Sequence, residues 1–129
     1  MTGLVLPSGP INARELESAL FAICGVAKSI RPSAVWVATY GYGCGIHPDL
    51  WYKPMAVHTN LLMSFLRSSI DQRIFEPGFA DMSLEIHSGE FAAQVSHEGD
   101  VQISGSDELL VRSVLVVPAV ACCLRFSGA

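Results

Sequence analysis

The stretch Met82-SLEIHSGEFAAQVSHEGDVQI-Ser104 decides the fold. Met82, Leu84 and Ile86 alternate with Ser83, Glu85 and His87. Phe91, Ala93 and Val95 alternate with Ala92, Gln94 and Ser96, and Val101 and Ile103 with Gln102 and Ser104. Successive side chains of a strand point to opposite faces, so each run carries one apolar and one polar face. Ser88-Gly89-Glu90 and Glu98-Gly99-Asp100 supply the turns between them. The pattern predicts an antiparallel three-stranded meander, dry on one side and wet on the other.

Upstream the period changes. Leu16, Leu20, Ile23 and Ala27 recur at helical spacing, widened by Phe21, Cys24 and Val26. Asn12 and Glu15 form a capping box and Ile11 with Leu16 a staple, after an extended lead-in over 1–11. Lys28 and Arg31 suit the helix's negative end, and Pro32 forbids its continuation. Ala34 to Tyr40 is a β-forming run without polar alternation, which predicts a central strand covered on both faces. A long loop follows, through Gly41-Tyr42-Gly43-Cys44-Gly45 and both Pro48 and Pro54, to about Val57. Thr59 is read as the N-cap of a second helix, with Leu61, Leu62, Phe65, Leu66 and Ile70 facing inward until the turn Glu76-Pro77-Gly78.

Downstream, Ser106 can cap a short helix over 107–113, with a strand running into Val114–Val117 as the rival reading. After Pro118, Val120, Cys122, Leu124 and Phe126 alternate with Ala119, Ala121, Cys123 and Arg125, which predicts a final strand. The expected fold is therefore α+β, a single domain over 1–129 with two main helices packed on one face of a mostly antiparallel sheet.

Composition narrows the function classes. With 8 Lys+Arg against 12 Asp+Glu the formal charge is −4, a poor footprint for nucleic-acid binding. The apolar share of 50% opposes disorder. The uncharged run Ser113 to Leu124 is shorter than the ~20 residues a bilayer span requires. Cys24, Cys44, Cys122 and Cys123 lack paired zinc spacing or a secretory signal, so a reduced, cytoplasmic protein without cofactor is expected. Adjacent Cys122 and Cys123 would point to opposite faces of the final strand, which disfavours joint chelation.

The search for catalytic motifs is mostly negative. The glycine-rich run 41–45 lacks the lysine and the immediate helix of a phosphate loop. Cys44, His47 and His58 invite a metal site, with Asp49 as fourth ligand, or a Cys–His nucleophilic pair; the plainer reading is a loop thiol and two surface histidines. No metal is expected, and no enzyme.

Two surfaces remain as candidates. Trp36, Tyr40, Tyr42, Trp51 and Tyr52 account for all Trp and Tyr of the chain, and the last three fall in the long loop beside His47 and Asp49. Large rings give contact area at small entropic cost and dominate binding hot spots. The competing reading folds this loop back so that its rings cap the core. The wet face of the meander offers Glu85, His87, Glu90, Gln94, Asp100 and Gln102, an acidic surface for a basic partner or simply a solvated one. The expected partner-binding residues are thus Tyr42, His47, Asp49, Trp51, Tyr52, Glu85, His87 and Asp100.

The reading that joins these features is a small protein-binding module, an inhibitor of the kind that bacterial toxin-immunity proteins represent, which occludes a basic protein partner. Two alternatives stand beside it. One is a small-molecule binder or enzyme with a pocket near Gly41–His58. The other is a homo-oligomer or complex subunit built through the apolar C-terminal strand edge, which a mean hydropathy of +0.40 favours.

Overall fold

The computed structural model describes residues 13–123. The extended lead-in and the contributions of Ile11 and Asn12 lie outside them, as does the expected strand beyond Cys123. Within them run α1 (Ala13–Ile30), β1 (Val35–Tyr40), a 3₁₀ turn (Pro48–Leu50), β2 (Pro54–His58), α2 (Thr59–Asp71) and β3 (Met82–Ile86). A second 3₁₀ turn (His87–Gly89), β4 (Phe91–Val95), β5 (Val101–Ser104), α3 (Glu108–Leu115) and α4 (Pro118–Ala121) complete the order. The strands form one antiparallel sheet in the order β2-β1-β3-β4-β5, and the fold is α+β as expected. None of the described helices is long and apolar enough to cross a membrane.

Register sorts the side chains row by row. Val57, Trp36, Ile86 and Phe91 align across the sheet, as do Met55, Ala38, Leu84, Ala93 and Ile103. Tyr40, Met82, Val95 and Val101 make the next inward row. These rows are buried, apart from Met55 and Ile103 at the two edges, which are half-buried. Leu16, Leu20 and Ile23 of α1 with Leu62 and Leu66 of α2 close the same apolar cluster, and α1 lies against α2, α3 and α4. The alternating rows stay outside: Ala56, Val37, Glu85, Ala92 and Ser104, then Pro54, Thr39, Ser83, Gln94 and Gln102.

Several expectations change. β1 is not covered on both faces: Val35 is 49% exposed, and Val37 and Thr39 are half-buried on the open side. Their β-branched side chains suit a strand on either face, so the run hides its alternation. The long loop contains β2, an edge strand whose first residue is Pro54; proline is tolerated there because it starts the strand. Leu61 is 60% exposed rather than inward.

Thr59 is not the N-cap of α2. His58 is, its Nδ1 accepting from the Asn60 amide at 3.2 Å. Thr59 is buried in the first turn instead. Its hydroxyl accepts from the Trp36 indole N–H at 2.9 Å and lies 2.8 Å and 3.0 Å from the Ala34 and Arg31 carbonyls.

The segment after β5 is helical. α3 is capped by Asp107, whose carboxylate accepts from the Leu110 amide, and not by Ser106. The expected final strand is, through Cys123, the helical turn α4: Pro118 stands in its first turn, where its missing N–H costs nothing. The part of the C-terminal strand edge that the oligomer reading invoked is, as far as Cys123, helical.

Glu90 is not a free wet-face carboxylate. Arg31 grips it with both guanidinium ends at 3.1 Å and reaches Asp107 at 2.9 Å, which ties the end of α1 to the β3–β4 turn and the cap of α3. The Leu110 amide, with Arg31, holds the Asp107 carboxyl below the usual carboxylate range. A carboxyl depressed in the folded state contributes stability above its ordinary pKa and loses it as pH falls through the folded value. Asp107→Asn keeps a capping side chain but removes the charge. It should therefore lower the melting temperature at neutral pH, and the gap from the parent should close as the pH falls below about 4. Circular-dichroism melts across pH check this; a gap that persists in acid would remove the ion pair from the account.

Candidate functional site

The open face of the sheet is hollowed into a cleft of about 420 Å³. Thr39 of β1, Ser83 and Glu85 of β3, Gln94 of β4 and Gln102 of β5 line it, all from the outward rows. Asp81, Ser96, His97 and Asp100 come from the connections at one end of the strands, and Gly41 and Tyr52 from the aromatic loop. The two surfaces that the sequence suggests separately thus meet at one place.

The loop reaches the cleft because it folds onto the segment between α2 and β3. The Gly41 amide donates to the Asp81 carbonyl at 2.9 Å, the Asp81 amide to Tyr42 at 2.8 Å, and the Gly45 amide to Ile74 at 2.6 Å. Glycine is required for this approach. A Cβ on Gly43, at φ +86, would stand 2.6 Å from the Phe79 carbonyl oxygen, and one on Gly45 2.4 Å from that of Arg73. These glycines serve backbone packing.

The loop rings divide between two roles. Trp51 is half-buried, and its indole N–H donates to the Cys44 carbonyl at 3.1 Å. Tyr52 is 65% exposed, held at φ 65 with its amide donating to the Tyr40 carbonyl at 2.7 Å. Tyr42, 54% exposed, packs edgewise on Trp51 and lies against the His97 ring, centroids 5.6 Å and 5.2 Å apart.

Asp81 organises the near end of the cleft. Its Oδ1 accepts from the His97 amide at 2.6 Å and lies 2.9 Å from His97 Nδ1. Neither residue is among the candidates from sequence, yet a hairpin centred on Ser88-Gly89 places Asp81 across from Ser96, beside His97. Register carries that signal; composition does not.

Of the candidates, Tyr52, Glu85 and Asp100 line the cleft and Tyr42 stands over His97 at its margin. Glu85 is exposed and accepts from the Ser83 hydroxyl at 3.1 Å. Asp100 is not on a wet surface; it is 2% exposed. The turn folds inward there, with the Ser96 amide donating to the Asp100 carbonyl and the Val101 amide to Cys123. His47 and Asp49 lie elsewhere, exposed around the first 3₁₀ turn, where His47 Nδ1 accepts from the Asp49 amide. His87 is exposed in the second 3₁₀ turn and takes no part in lining the cleft.

Cys44, His47 and His58 do not converge. The Cys44 thiol is buried and donates to the Asp81 carbonyl at 3.3 Å, and burial pushes it up, away from a reactive thiolate. Among the described residues, no group of three or more His, Cys, Asp or Glu stands together to hold a metal. No protein family, curated protein or solved structure matches the chain.

Burial separates the two neighbouring rings in a measurable way. Trp51→Ala removes a packed indole and its hydrogen bond and should cost at least ~1.5 kcal/mol of stability. Tyr52→Ala should stay within ~0.5 kcal/mol of the parent, as surface substitutions do. Urea unfolding of both variants checks the pair; equal losses would make Tyr52 a core cap as well.

Proposed function

We propose that the chain is a protein-binding module whose open sheet face receives a basic segment of a partner, an arginine side chain foremost. The observation that carries this is the lining of the cleft. Asp81 and Glu85 supply accessible carboxylates, with the buried Asp100 in the wall, and Thr39, Ser83, Gln94 and Gln102 supply further acceptors, while none of the described lining residues is Lys or Arg. A guanidinium matches such a site through paired charge-assisted hydrogen bonds, and its flat face stacks on an exposed ring such as Tyr52. Opposite charge accelerates encounter and aromatic anchors slow release. An inhibitor of immunity type is the specific form of this reading: the carboxylate-lined face would cap a basic active-site cleft and occlude it.

A second reading, a small-molecule binder or enzyme using the same cleft, has the Asp81–His97 pair in its favour. A carboxylate that fixes a histidine ring is the arrangement of a general base.

Random peptides displayed on phage and panned on the folded protein test the first reading. Enriched sequences should carry arginine or lysine, and their affinity should fall about thirtyfold, or ~2 kcal/mol, on Tyr52→Ala. Glu85→Gln should weaken them too, with a smaller loss at high salt. Enrichment of acidic or purely apolar peptides, or equal binding to both variants, would contradict it.

A further inference from the structure

The helical turn α4 ends in two adjacent thiols. In a strand they would face opposite ways; at a helical terminus they lie side by side, with Sγ atoms 3.7 Å apart. Cys123 is fully buried, whereas Cys122 is exposed and its thiol donates to the Ala119 carbonyl at 3.3 Å. Cys122 opens on a cleft of about 340 Å³ that it shares with Ala119 and with Arg14, Glu15 and Ser18 of α1. That cleft presents a guanidinium, a carboxylate and a hydroxyl beside one accessible sulfur, with a second sulfur directly behind it. The other two cysteines, Cys24 and Cys44, are 2% and 4% exposed.

We propose that Cys122 and Cys123 form one thiol–disulfide exchange site, which takes a small disulfide of zwitterionic, amino-acid-like thiols at Cys122 and resolves it onto Cys123. In the first step Cys122 sulfur attacks the small disulfide. A Cys122–S–S–R bond forms as the old S–S bond breaks, and one R–SH leaves with the proton lost from Cys122. In the second step Cys123 sulfur attacks Cys122 sulfur, the mixed disulfide breaks, and a second R–SH leaves with the proton of Cys123. The pair loses two electrons and two protons, and the incoming disulfide is reduced to two thiols. Exposure decides which sulfur reacts first. Burial pushes the Cys123 thiol up, so the second step quickens as pH rises.

The product is reversible. Adjacent residues hold their Cα atoms about 3.8 Å apart, short of the usual ~4.4–6.8 Å span of a disulfide, so the closed ring is strained and readily reduced. Such a bond serves as a redox response and not as a staple.

Oxidised glutathione added to the reduced, folded chain is the probe, with intact mass and peptide mapping after acid quench as the readout. The parent should first carry one glutathione on Cys122, then lose it to a species two hydrogens lighter than the reduced chain, sooner at higher pH. Cys123→Ser and Cys123→Ala, paired in case one misfolds, should both stop at the adduct. Cys122→Ser should react at least roughly tenfold more slowly than the parent. The proposal falls if Cys122→Ser takes up glutathione at the parent's rate. It falls equally if the parent retains its adduct as the Cys123 variants do.

Discussion

The indole of Trp36 is fully buried, and its N–H donates to the Thr59 hydroxyl. That hydroxyl also sits against the carbonyls of Arg31 and Ala34, so one threonine links the end of α1, the start of β1 and the largest side chain of the core. Leaving such a donor unmade in the interior costs about 1–3 kcal/mol, which penalises any slip of β1. A slip by one residue would also turn Trp36 out and Val35 or Val37 in. With β1 fixed, the antiparallel ladder assigns every other strand its inner face. Trp36 aligns with Ile86 and then Phe91, and the Phe91 ring meets it edge-on at 5.5 Å.

The outward face follows from the same constraint. Because Trp36, Ala38 and Tyr40 point to the helices, Val37 and Thr39 must point away, beside Glu85 and Ser83. The described helices shelter one side of the sheet, and the other keeps polar side chains across four adjacent strands, the short Thr39 and Ser83 beside Gln94 and Gln102. Short residues there leave room for the cleft, and the folded-back loop raises its wall at Tyr52. The site is thus a consequence of strand register joined to a glycine-dependent loop contact.

How far this could be read from sequence varies with the kind of signal. The meander was legible because Met82–Ser104 alternates cleanly and its turns contain Gly89 and Gly99. Helix α1 was legible from Leu16, Leu20, Ile23 and Ala27, all buried. β2 was hidden because Pro54 and Pro48 read as loop, and because pairing to β1 satisfies an edge strand that lacks a strong pattern of its own. α4 was misread because Val120 and Cys122 fit period two as well as a short helical turn. The polar cleft was half legible: Glu85, Gln94, Gln102 and Tyr52 were in view, but on separate surfaces. Asp81 and His97 escaped because their pairing crosses sixteen positions and neither belongs to a motif. Asp100 looked exposed because turn acids usually are, whereas here the turn is drawn inward by the Val101–Cys123 contact.

On the proposed function, the carboxylate-lined face of the sheet, and not the helical side, accepts a cationic group. Amide chemical-shift mapping of the ¹⁵N-labelled chain with blocked arginine, set against its uncharged citrulline analogue, reads this directly. Shifts should concentrate on Thr39, Gly41, Ser83, Glu85 and Gln102 with arginine and be much smaller with citrulline. Shifts on α1 or α3, or equal responses to the two compounds, would contradict it.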